Sequence, residues 1–252
     1  MILRRVIAHF RKQEWTAIAI DFVIVIMGVF IGIQVANWNA ARADRATANR
    51  HLAEIAADLQ AHLDMHGALY GSAMARISAV DYVYDEAFGR TLPSTLHLGV
   101  EDWAAPDVAP FPEEKLDDLM GSINLVRITV GTRSGYDALI SSGHLSLVRN
   151  TDLARHIQDY YKTYDDLLDT GNGVFRVFRT DGAAIYQKYG VSVFDERPAA
   201  DIVALARDHD DFAAYLRTVR EWAIVHAGLL DGLRIETEKL LLEINAELDR
   251  SR

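Results

Sequence analysis

Residues 15–38 read WTAIAIDFVIVIMGVFIGIQVANW, and this run constrains the rest of the chain more than any other. Between Thr16 and Ala36 the only polar side chains are Thr16, Asp21 and Gln34. About twenty consecutive, predominantly apolar residues is the length at which a helix crosses the hydrocarbon core of a bilayer. At about 1.5 Å of rise per residue, Trp15 and Trp38 stand roughly 34 Å apart, one at each headgroup boundary, where amphipathic aromatics are favoured. The sequence therefore predicts a stub at 1–14, a transmembrane helix at 15–38 and a separate helical domain at 39–252, with the lipid bilayer as its first partner.

Charge sets the expected orientation. Arg4, Arg5, Arg11 and Lys12 precede the span, and Arg42, Arg45 and Arg50 follow it. The larger basic count, with the terminal amine added, favours a cytoplasmic N-terminus and sends residues 39–252 to the outer side. A cleaved signal peptide is the rival reading. Its apolar region would span only about 7 to 15 residues and end in small residues. Here the run is longer and ends in Asn37, Trp38 and Asn39, so an uncleaved anchor is expected. A stub of about fourteen residues is too short for an output domain, so any signal is expected to pass sideways through another membrane helix.

Two features inside the span bear on assembly. Gly28 and Gly32 form a GxxxG pair that Ala36 extends by a turn, a face along which a second helix could approach closely. The expected partner is a second copy or another membrane protein, although glycine is also simply common in membrane helices. Asp21 lies seven residues before Gly28 on the same face. An intramembrane carboxylate is a functional candidate by default. Asp21 is also near enough to the cytoplasmic boundary to reach interfacial water, which is the plainer account.

A formal net charge of −10 over 252 residues argues against nucleic acid or an anionic lipid surface as the main partner, since both require a basic face. The absence of cysteine removes disulfides, thiolate metal sites and thiol nucleophiles.

Two stretches resemble a known family. Asp21 followed by FVIVIMGVFIGIQVANWN is similar to the N-terminal signature of an uncharacterised family of bacterial single-pass membrane proteins, in which an acidic residue precedes a GxxxG-like run ending in Asn-Trp-Asn. Tyr136 to Tyr161, YDALISSGHLSLVRNTDLARHIQDYY, resembles that family's second characteristic stretch, a helix, a Ser-Gly turn, a Leu-rich link and another helix. The chain departs from the pattern at Ala40, where the family often has glutamate. The resemblance implies a bacterial domain of unknown function and carries no catalytic residue; taken with the charge-based orientation, the expected location is a bacterial inner membrane with the C-terminal domain in the periplasm.

After Asn39 the pattern is that of a long helix to about Phe88, followed by an antiparallel helical bundle. Leu52, Ile55, Leu59, His62, His66, Leu69 and Ala73 alternate in threes and fours, as do Phe212, Tyr215, Val219, Trp222, His226, Leu229 and Leu233. The two seams are expected to bury each other, with Trp222 in the core. Four of the five prolines fall within an irregular excursion at 89–112, read as a strap packed by Trp103 and Phe111 or as a binding lid. Short helices are expected from Pro112 to about Val126, over 133–142 and over 202–207. A helix capped at Asn150 or Thr151 carries Tyr160 and Tyr164 inward and is interrupted at Gly171-Asn-Gly. Gly228 and Gly232 suggest a close helix crossing. No β-hairpin is expected.

Catalytic patterns are absent. GTRSG at 131–135 misplaces the serine for a nucleophile elbow, and no HExxH, phosphate loop or Glu-x-x-His pair occurs. The one constellation is Asp58, His62 and His66, whose spacing of four places two imidazoles and a carboxylate on one helix face, a possible zinc or copper site. The alternative is that these histidines are partly buried and hydrogen-bonded. The expectation is an all-α, membrane-anchored extracytoplasmic module that senses, scaffolds or binds a partner, without cofactor or catalysis. A hydrolase or metal-binding protein with a site near Asp58, His62 and His66 is the alternative.

Overall fold

The computed structural model describes residues 15–99, 102–127, 131–192 and 196–250. The expected stub at 1–14 and the side chain of Trp15 lie outside the described residues. The chain divides into two compact units, 1–50 and 51–252.

Its first helix, α1, spans Trp15–Phe88. No proline occurs before Pro93, so nothing in the sequence removes a backbone donor from it. It ends at Gly89, whose φ of 60° is open to glycine and whose N–H reaches Asp85 O at 2.7 Å. In the first unit, the apolar side chains from Ile18 to Val35 are all exposed, as are Asp21, Gly28, Gly32 and Ala36. A Cβ added at Gly28 or Gly32 would meet nothing within 4 Å. This is the one helix, among the described residues, long and apolar enough to cross a membrane.

Among its described residues the second unit is helical apart from a small hairpin and irregular connections. After α1 come strands β1 (Thr95–His97) and β2 (Asp102–Ala104). A 3-10 turn at Glu113–Asp118 then leads into α2 (Leu119–Asn124), followed by α3 (Ser134–Ser141) and a 3-10 turn at His144–Leu147. The long helices α4 (Thr151–Lys188) and α6 (Asp210–Arg250) flank the shorter α5 (Ala199–Asp208). As expected, Asn150 caps α4, accepting from Leu153 N at 3.2 Å.

Within this unit α1 and α6 run antiparallel. Arg76 meets His226, and the Tyr84 hydroxyl donates to Ala213 O at 2.6 Å. The two seams therefore face each other only where they overlap. Leu52, Ile55 and Leu59 pack instead with Leu240 and Ile244 of α6, Leu139 of α3 and Leu153, Ile157, Tyr160 and Tyr161 of α4. Phe212, Leu216 and Val219 pack with Val80, Val83 and Tyr84 of α1, Ile202 of α5 and Leu119 and Ile123 of α2. Periodicity gives the buried face of each helix but leaves its sliding position along the partner open. Trp222 is only half-buried, because its neighbours Ala223, Ile224 and His226 take the interior positions.

Three further expectations are corrected. The excursion at 89–112 contains an antiparallel hairpin in which Leu96 pairs with Trp103. Its three-residue strands are too short to leave a period-2 signature. Its Phe111 is buried against Tyr82, with rings 6.0 Å apart, and Trp103 packs on Ile77, Ala223 and Ile224, which makes the segment a packed strap. Gly228 serves that strap and not a helix crossing. A Cβ there would stand 2.3 Å from the Trp103 ring, while one at Gly232 would meet nothing. Finally, α4 passes through Gly171-Asn-Gly without a break. A helical glycine costs about 1 kcal/mol relative to alanine, a local penalty that burial of Ile157 at one end and Tyr186 at the other outweighs.

Candidate functional site

The second unit places Asp58, His62 and His66 on one side of α1 but sends each to a different task. Successive side chains four residues apart rotate by about 40° around a helix, so the three diverge instead of meeting. The Asp58 carboxylate accepts from Gly135 N at 2.8 Å and from the Ser134 hydroxyl at 3.2 Å, holding the first turn of α3 against α1. Ser134 thus bonds a carboxylate, and His62 bonds other partners.

His62 is fixed on both sides. Its Nε2 lies 2.8 Å from Thr132 O, and a carbonyl only accepts, so Nε2 carries a proton. Its Nδ1 lies 3.0 Å from the Tyr160 hydroxyl, which lies 2.9 Å from Thr237 Oγ1. The ring stacks on Tyr164 at 4.8 Å and nearly parallel. Gly131 lies against the Cδ2–Nε2 edge of the ring, where a Cβ would stand 2.1 Å from Cδ2, and donates its N–H to the Tyr164 hydroxyl at 2.5 Å. The two glycines of GTRSG are thus close-approach positions on α1, a meaning that no nucleophile motif would reveal.

His66 packs on Tyr70, and its buried Nε2 makes no hydrogen bond. It faces a cavity of about 60 Å³ that His62 and His226 also line. Leu63, Leu69, Leu167, Leu230 and Leu233 form much of the wall, with Tyr164, Arg127 and Arg234 among the polar side chains. His226 had been legible only as a core position of α6. Nothing in its spacing showed that it would join His62 and His66, which lie about 160 residues away in the chain.

Burial decides the charge here. Desolvation pulls the His62 imidazole below its usual range, against the opposing pull of its bond to Thr132 and the charge of Asp58. His66 is lowered by burial and by Arg234. His226 falls to about 3, through burial and then through Arg76, whose Nη2 lies 2.7 Å from its Nδ1. The Tyr160 hydroxyl is pushed up to about 12, mainly by burial. At neutral pH the three imidazoles and the phenols are therefore uncharged. The result is a cavity of leucine walls set with neutral imidazole and phenol groups and bordered by the guanidiniums of Arg127 and Arg234, suited to holding a small guest with an apolar body. Among the described residues no group of three or more His, Asp or Glu side chains is placed to hold a metal ion.

No protein-family model, curated protein or solved structure matches this chain. The class it presents is an all-α domain preceded by an apolar helix of membrane-spanning length.

Proposed function

We propose that this protein is a membrane-anchored sensing or partner-binding module, with its N-terminus in the cytoplasm and residues 39–252 outside, in a bacterial inner membrane. The observation that carries the reading is the run Ile18–Val35, whose large apolar side chains are each about half exposed or more. Left in water, such a surface is unfavourable at about 25 cal/mol per Å² of apolar area, and a bilayer removes that penalty. Binding is favoured over catalysis because His62 has both nitrogens committed to structural bonds and the buried Nε2 of His66 has no hydroxyl or carboxylate hydrogen-bonded to it. A base that activates a nucleophile is held within hydrogen-bond reach of it.

The test is a pair of C-terminal fusions to the full-length chain. Alkaline phosphatase should be active and green fluorescent protein dark, with the N-terminal residues retained in the membrane fraction. An inverted pattern removes the orientation, and a soluble, shortened product replaces the anchor with a cleaved leader. Self-association through Gly28, Gly32 and Ala36 belongs to the same proposal, since this face is open and small side chains let helix backbones approach in lipid. Changing both glycines to isoleucine should reduce the dimer signal in a membrane two-hybrid assay. An undiminished signal means the helices do not meet along this face.

A further inference from the structure

His51 and His144 come together from positions 93 residues apart, with His51 Nε2 and His144 Nδ1 3.0 Å from each other. His51 belongs to α1 and is 8 % exposed. His144 follows Gly143, whose φ of 71° turns the chain out of α3 and into the 3-10 turn at His144–Leu147. Leu145 and Val148 of this connection pack in the core beside Leu52 and Ile55, so the turn is anchored next to the histidine it presents.

The third member is Glu54, one helical turn beyond His51, whose carboxylate lies 3.2 Å from His51 Nδ1. An ionised carboxylate only accepts, so neutral His51 carries its proton on Nδ1 and presents a lone pair at Nε2. That lone pair points at His144. A plain hydrogen bond between the rings then needs His144 to hold its proton on Nδ1. A metal ion needs only the two lone pairs.

Ligating histidines commonly give their other N–H to a carboxylate, which fixes tautomer and ring orientation. The relation of Glu54 to His51 matches this. Two nitrogens bound at about 2.0–2.1 Å in a tetrahedral arrangement stand about 3.3 Å apart, so the observed separation needs to open by only a few tenths of an ångström.

We propose that His51 and His144 form a two-imidazole site for a borderline divalent transition ion of the zinc, nickel and copper(II) class, with Glu54 as the positioning residue of His51. Imidazole nitrogen suits these ions, and affinity at such a site rises toward copper(II). Water would fill the remaining coordination positions, since His144 is partly exposed. Bound there, the ion ties α1 to the link between α3 and α4, and it is separate from Asp58, His62 and His66.

The test uses untagged full-length protein in detergent, titrated with copper(II) and followed by pulsed electron paramagnetic resonance and by thermal melting. The expected result is a spectrum with two coupled imidazoles and a melting temperature that rises with copper. Affinity should fall at least ten-fold in His51→Ala and in His144→Gln, a variant that keeps a hydrogen-bonding side chain beside His51 and so protects the fold. His97→Ala, at an exposed histidine of the hairpin, should bind as the parent does. Removing an outer-sphere partner commonly weakens metal binding by about 10- to 100-fold, which is the loss expected for Glu54→Gln. A spectrum with one imidazole, or equal affinity in the parent, His51→Ala and His144→Gln, overturns the proposal.

Discussion

Acidification from pH 7 to pH 5 should destabilise the full-length protein, and one histidine should account for much of the loss. The guanidinium of Arg76 only donates, so His226 Nδ1 must accept and the ring must be neutral for the 2.7 Å contact to exist. Burial first and Arg76 second hold the folded-state pKa of His226 near 3, against about 6.5 in the unfolded chain. A folded pKa below the unfolded one means that the unfolded state binds more protons between the two values. The contribution of His226 to stability is thus complete above about pH 6.5 and is lost progressively as pH falls toward about 3. At about 1.4 kcal/mol per pH unit, it amounts to a loss of about 2 kcal/mol at pH 5. His62 and His66 are lowered as well and act in the same direction. Urea unfolding at pH 7 and pH 5 measures the effect, and His226→Gln should flatten the dependence by roughly one proton. A parent chain equally stable at both pH values, or a His226→Gln variant with undiminished dependence, contradicts this account of the buried pair.

Gly135→Ala should be comparably damaging, while Gly232→Ala should not. At Gly135 an added Cβ would lie 2.6 Å from Ile55 N and 2.7 Å from Glu54 C, backbone atoms of α1 that have no rotamer to change. Helix α3 would have to retreat, stretching the 2.8 Å bond from Gly135 N to Asp58 and opening the core beside Leu139 and Ile55. Overpacking of this kind costs about 1–3 kcal/mol, and loss of the Asp58 contact adds to it. At Gly232 a Cβ meets nothing within 4 Å in the middle of α6, so alanine should stabilise by roughly 0.5–1 kcal/mol through helix propensity alone. Thermal melts of the two variants beside the parent make the comparison. Equal melting temperatures for Gly135→Ala and the parent would show that α3 does not press on α1 as described.

Proton uptake and backbone approach both act at residues whose importance the sequence concealed, and the reason differs between them. Local patterns are legible wherever one element decides the outcome. The apolar run to Ala36, the stop at Phe88 before a glycine, the Asn150 cap and the inward tyrosines of α4 follow from hydropathy, periodicity and capping, which depend on residues at most a few positions apart. The hairpin escaped because three-residue strands carry no period, and the glycines at 171 and 173 misled because a local propensity was outweighed by packing on either side of them.

What belongs to tertiary structure alone is the matching of distant segments. Periodicity identified His62, His66 and His226 as lying on inward faces, yet it did not show that they line one cavity, or that Asp58 would hold α3 and not join them. It marked both seams but not their register, so Leu52 to Leu59 found Leu240 and Ile244, and Trp222 was left at the margin. Register between helices depends on how particular side chains interdigitate, on where Gly131 and Gly135 let backbone touch helix, and on where Trp103 settles over Gly228. The sequence by itself determined an all-α chain with one helix of membrane-spanning length, because burial of apolar surface is proportional to area and can be read residue by residue. Which histidines meet which partners was decided only by packing, because a contact between residues 93 or 150 positions apart leaves no mark on the local spacing of either.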